Sequence, residues 1–122
     1  MSDTNTVPED YDMILTGDLG AVGSELLCEL MIKQENIDIS AVHNDCGLML
    51  YDIEKQKDVG AGGSGCGCSA ITLCGYLLEN LRAKKWNKIL FCGTGALLSP
   101  TSTQQGLPIP GVCHAVCITG GN

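Results

Sequence analysis

Between Ala61 and Ala70 the chain reads AGGSGCGCSA, and the apolar segment Ile71 to Leu81 follows without a break. This run constrains the fold more than any other. Glycines allow a backbone to turn tightly and to approach a ligand or another element closely. A helix start then offers unpaired N–H groups to an anion. A loop of this kind, running into a helix, forms one wall of a small-molecule pocket or a close packing seam. It locates a candidate site without naming its chemistry.

The chain around this loop has the size of one domain, at 122 residues. Aromatic residues are only 4% of it, so its core must be built from aliphatic side chains, alanine, glycine and cysteine. The net charge of −7 and the absence of a basic stripe argue against nucleic acid as a partner. Lys84, Lys85 and Lys88 cluster near one helix end, where they suit its dipole. Eight cysteines raise the question of a disulfide scaffold. The first ten residues, however, are polar and acidic, unlike a signal peptide. Cys28 and Cys74 fall at apolar helical positions and Cys92 in an apolar strand, where free cysteine acts as a small hydrophobe. The expectation is a reduced, intracellular protein. No apolar stretch approaches the ~20 residues that a membrane-spanning helix requires, so any membrane association would pass through a partner.

Residues 1–10 read as a flexible lead-in, and residues 11–122 as one domain. Tyr11 to Thr16 predicts a strand ended by the turn Gly17-Asp18-Leu19-Gly20. Val22 to Gln34 predicts an amphipathic helix with Val22, Leu26, Leu27, Leu30 and Met31 on its buried face. Cys46 to Tyr51 (CGLMLY) reads as a second strand, and Asp52 to Val59 as a charged loop. A helix from Cys66 to about Lys85 follows, its first half apolar nearly all round and therefore expected between two layers. Lys88 to Cys92 is a third strand, Ser99 to Pro110 a loop, and Val112 to Thr119 the last strand. This order gives an α/β fold with a mixed sheet packed against helices. Its ligands are expected at the strand ends.

Several motifs compete for attention. Gly60, Gly62 and Gly65 satisfy the dinucleotide fingerprint, yet they follow a charged loop, and the acidic residue at the right distance, Glu79, lies inside a helix. Cys66 and Cys68 at a helix start suit either reactive thiols or close packing, and close packing is the simpler reading. Cys113 and Cys117 share one face of a strand while His114 faces the other way, which does not make a zinc site. His43 precedes the expected second strand and reads as a loop histidine bonded to a neighbour. Two histidines and no nucleophile elbow exclude a serine-hydrolase arrangement.

The segments YDMILTGDLGAVGSE, HNDCGLMLYD, AGGSGCGCSA, CGTGALLSPTSTQQG and IPGVCHAV together resemble the thiolase and ketoacyl-synthase superfamily, specifically its C-terminal half. Within it they are similar to the soluble sporulation proteins of the SpoVA complex of spore-forming bacteria, over about Pro8 to Ile118. The resemblance implies a thiolase-like half domain that binds dipicolinic acid, or its calcium chelate. It implies membrane-embedded SpoVA proteins as partners, uptake of the acid during sporulation and its release at germination. The location implied is the forespore and spore, at the inner membrane through those partners.

Where thiolases carry Gly-Gly-His-Pro, this chain has Gly62-Gly63-Ser64-Gly65, and Gly17-Asp18 stands where ketoacyl synthases have a second histidine. Cys92, followed by Gly93-Thr94-Gly95, keeps the position of the thiolase proton-shuttling cysteine. One surviving group does not supply base, oxyanion hole and nucleophile together. The expected activity is therefore binding, with no catalytic residue, cofactor or metal. The ligand-binding residues expected are Gly62, Gly63, Ser64, Gly65, Cys66, Gly67, Cys92, Gly93 and Thr94. The alternative is an acyl-CoA thiolase or ketoacyl-synthase-type acyltransferase half that uses Cys92. The family's N-terminal half has no counterpart in these residues, which predicts self-association or a partner chain.

Overall fold

The computed structural model describes residues 1–62, 66–96 and 99–121. Four strands form one sheet: β1 (Met13–Thr16), β2 (His43–Asp45), β3 (Lys88–Ala96) and β4 (Gly111–Thr119). Their order is β2-β1-β3-β4, with β1 parallel to β2 and β3, and β4 antiparallel to β3. The mixed α/β sheet anticipated from the sequence is therefore present. At its lower edge Asp12 accepts hydrogen bonds from the amides of Asn87 (2.7 Å) and Lys88 (2.9 Å), which pins the start of β1 to the start of β3. Residues 1–10 form two short 3-10 turns, Ser2–Thr4 and Pro8–Asp10, with Pro8 buried.

Helical segments pack on both faces of β1 and the first half of β3, while β4 is exposed along most of its length. Helix α1 (Gly20–Leu30), extended by a π turn over Met31–Glu35, lies against Ile14 and Leu90. Its orientation corrects the expectation. Ser24, Leu27, Cys28 and Met31 turn toward the sheet, whereas Val22, Leu26 and Leu30 are about half exposed. Gly20 is the reason: its backbone packs so closely against residues 61–62 that the helix is rotated to bring Gly20 and Ser24 inward.

The opposite face carries a continuous helical rod made of α3 (Cys68–Thr72), a π turn (Leu73–Leu77) and α4 (Leu78–Arg82). Its buried positions are Cys68, Thr72, Leu77 and Leu81, spaced four, five and four apart. A five-residue step would rotate an ideal α-helix off its stripe, and the wider π turn returns Leu77 to the sheet. Leu15, Leu77, Leu81 and Ile89 then close the main core. The rod is buried on this side alone: Ile71 is 62% exposed and Cys74 and Tyr76 are also exposed. The expected burial between two layers is thus corrected to burial against one.

Two further elements differ from expectation. Cys46–Leu50, expected as a strand, is a short helix, α2, and the strand β2 lies just before it. Asp45 causes the change, since its carboxylate caps α2 by accepting from the amide of Gly47 at 3.1 Å. The loop from Ser99 contains a further helix, α5 (Pro100–Gln104). Strand β3 also runs four residues beyond Cys92, because β4 pairs with it along its whole length.

Candidate functional site

The parallel strands β1, β2 and β3 end at one edge of the sheet, and there the chain crowds together. Asp45, at the end of β2, is fully buried. Its carboxylate accepts four hydrogen bonds: from Thr16 Oγ1 (2.6 Å), the amides of Leu19 (2.8 Å) and Gly20 (3.0 Å), and Gly47. A buried carboxylate is tolerated only when its lone pairs are met in this way. The β1–α1 turn is thereby wrapped around one anion.

Thr16 extends the network. Its hydroxyl hydrogen is committed to Asp45, so His43 Nε2 donates to Thr16 Oγ1 at 3.1 Å. The other ring nitrogen, Nδ1, then accepts from the Cys28 thiol at 3.9 Å. Burial holds the His43 imidazole below its ordinary pKa, against the opposing pull of the Asp45 charge. Burial first, and the Asp38 charge second, push the Cys28 thiol up. Both shifts favour the neutral pair over a thiolate–imidazolium pair, so this contact is structural in character. His43, expected in a loop before the strand, is the first residue of β2 itself.

The turn also meets β3 and the glycine-rich loop. Asp18 donates its amide to Thr94 Oγ1 at 3.2 Å. A Cβ at Gly17 would stand 2.9 Å from that oxygen and 3.4 Å from Ser69 Cβ, so β1, β3 and the start of α3 converge on this glycine. On the other side Gly20 takes a φ of +68°, and a Cβ there would lie 2.8 Å from the Ala61 carbonyl oxygen and 2.9 Å from that of Gly62. Ala21 donates its amide to the same Ala61 oxygen at 2.7 Å. The start of the loop is seated on the turn by backbone contacts.

Beneath this edge, between α1 and the sheet, lies an open cavity of about 630 Å³. Thr16, Cys92 and Thr94 line its upper part, and Ile14, Leu27 and Leu90 its apolar part. The register explains the grouping: Thr16 pairs with Cys92, and Thr94 with Cys113, on one face. Burial, aided by the neighbouring Cys113 thiol, pushes the Cys92 pKa up to about 11. Neither histidine lines this cavity. His114 pairs with Gly93 and therefore faces the opposite side of the sheet.

Of the expected ligand-binding residues, Cys92 and Thr94 share the cavity, and Gly62 sits beside Gly20. Cys66 and Gly67 stand exposed at the start of the rod, while Gly93 belongs to the β3–β4 ladder. Gly63, Ser64 and Gly65 lie outside the described residues. Sequence reasoning missed Thr16, Gly17, Gly20 and Asp45. An Asp followed by a small residue and Gly47 carries a helix-cap signal, which the strand assignment for CGLMLY concealed.

These features define an α/β domain whose parallel strands end at a glycine-containing turn, braced by one buried carboxylate, beside an open cavity. The family model of stage V sporulation protein AD matches residues 1–119. The chain is also 44% identical, over 114 residues, to stage V sporulation protein AD of Bacillus subtilis (strain 168), a match covering 93% of this chain. It belongs to the stage V sporulation protein AD family, a sporulation protein family. The match spans 33% of that relative's length. Among the described residues no helix is long and apolar enough to cross a membrane.

Proposed function

We propose that this chain is the non-catalytic, thiolase-like ligand-binding part of a sporulation protein. It takes dipicolinic acid, preferably as the calcium chelate, for uptake during sporulation and release at germination. It works through membrane-embedded SpoVA proteins, which hold it at the spore inner membrane. The observation that carries this reading is the environment of Cys92. The thiol is pushed up to about 11, and no histidine lines its cavity. A nucleophile needs a lowered pKa or an adjacent base, and Cys92 has neither among the described residues. The acyltransferase alternative therefore lacks its chemistry, while a cavity with hydroxyls at one end suits binding.

Among the described residues the lining contains no lysine or arginine; its charged members are Glu35 and the α-ammonium group of Met1. A free dianion would enter this surrounding at high electrostatic cost. The neutral calcium chelate avoids that cost, with the ring against Ile14 and Leu90 and a carboxylate oxygen near the Thr94 hydroxyl. The exposed Val22, Leu26 and Leu30 on α1, and Val112 and Val116 on β4, are apolar surface that the rest of a longer protein, or a second copy, would cover.

Calorimetric titration of the protein with dipicolinic acid, with and without calcium, tests this reading. Saturable binding, tighter with calcium and weakened by Thr94→Val, is expected. Equal affinity in both conditions removes the electrostatic argument. Release of thiol from acetyl-CoA would replace the binding reading with the acyltransferase one.

A further inference from the structure

We infer that Asp45 is the positioning residue of the site: its carboxylate, through the turn it holds, sets where Ala61 and Gly62, the start of the glycine-rich loop, and Thr94 stand. The inference about ligand affinity rests on the binding reading above, but the positioning itself does not. Three facts carry it. The carboxylate is fully buried, and its two oxygens hold the hydroxyl that ends β1 and two consecutive amides, those of Leu19 and Gly20. Gly20 is in turn the seat of the loop, with the Ala61 and Gly62 carbonyl oxygens occupying the space where its Cβ would stand. At the other end of the same turn, the Asp18 amide holds Thr94 Oγ1.

Among the described residues, the contacts that seat the loop start on Gly20 and Ala21 are made by its carbonyl groups. The Ala61 carbonyl oxygen faces the Gly20 α-carbon and accepts from the Ala21 amide. The loop therefore follows the backbone of the turn, and the turn follows the carboxylate. Asn at position 45 would keep the volume but replace one acceptor oxygen by a donor, which meets backbone N–H groups head-on. The turn would have to move, and Ala61 and Thr94 would move with it.

The test is amide hydrogen exchange by NMR on the full chain, read at the Ala21 amide, whose acceptor lies in the loop. The controls are the Asp12 and Gly120 amides, which bond to Lys88 and Asn87 at the far edge of the sheet. Asp45→Asn is expected to lower Ala21 protection at least about tenfold more than the controls, the size of one lost charge-assisted hydrogen bond. Thr16→Val should act in the same direction more weakly, and Thr16→Ser, which keeps the hydroxyl, should restore it. This pair carries the test if Asp45→Asn does not fold. Equal loss at Ala21 and at the controls would reduce Asp45 to a stabilising residue and overturn the inference, as would unchanged Ala21 protection. In the titration with calcium dipicolinate, folded Asp45→Asn should bind several-fold more weakly, and wild-type affinity in that variant also overturns it. A wild-type protein that binds no dipicolinate refutes the binding reading, while the exchange result still decides the role of Asp45.

Discussion

Two aspartates sit at opposite edges of the same sheet and do different work. Asp12 is exposed and accepts from two consecutive amides, those of Asn87 and Lys88. Those bonds hold its carboxyl below the usual carboxylate range. Asp45 is buried, accepts from four groups and joins β1, α1 and α2. The local motif is the same: one carboxylate, paired backbone N–H groups. Water decides the difference. At the Asp12 edge solvent can replace a lost partner, so the bond fastens a corner. At the Asp45 edge nothing replaces it, so the geometry of the turn depends on one side chain.

The comparison breaks if the two carboxylates prove equally dispensable. The largest effect is expected for Asp45→Ala, which strands Leu19, Gly20 and Gly47 amides and the Thr16 hydroxyl, at about 3–5 kcal/mol of stability. Urea denaturation measures it. Gly20→Ala comes next, at about 2–4 kcal/mol, since a side chain must adopt a left-handed φ and push back two carbonyl oxygens. Asp12→Asn should cost under about 1 kcal/mol, because an exposed hydrogen bond is screened and replaced by water.

The pH dependence separates the two edges further. The Asp12 carboxyl is depressed in the fold, so its contribution is present above about 3.8 and lost as pH falls through the lower folded value. His43 is also depressed, so its contribution has the same sign but falls in a higher pH window. The unfolded chain takes up a proton near 6.5 while the buried imidazole resists it, so stability declines as pH falls below 6.5 and levels off below the folded value. His43→Gln should flatten that slope without changing the limb set by Asp12. Thermal melts between pH 3 and pH 8 resolve both.

The same two regions show what the sequence made legible. The strands β1, β3 and β4 and the mixed character of the sheet were readable because short apolar runs are local patterns. Asp45 was not, because CGLMLY has the composition of a buried strand and only the cap in front of it makes it helical. The burial side of α1 was misread for a related reason. Val22, Leu26 and Leu30 form an apolar stripe, but the close approach of Gly20 to residues 61–62 is a long-range contact that periodicity does not contain. The π turn at Leu73–Leu77 is likewise visible only as a five-residue step between buried positions. Cys92 and Thr94 share a face because β3 runs past the expected strand end at Cys92, an extension set by the long-range pairing with β4.

The most direct test is chemical-shift mapping of the isotopically labelled protein as calcium dipicolinate is added. The account predicts the largest shifts at Thr94, Cys92 and the amides of Gly17 to Gly20, with Asp12 and Gly120 unmoved. Shifts confined to the exposed outer faces of α1 and β4, or the absence of any shift at Thr94, would contradict it.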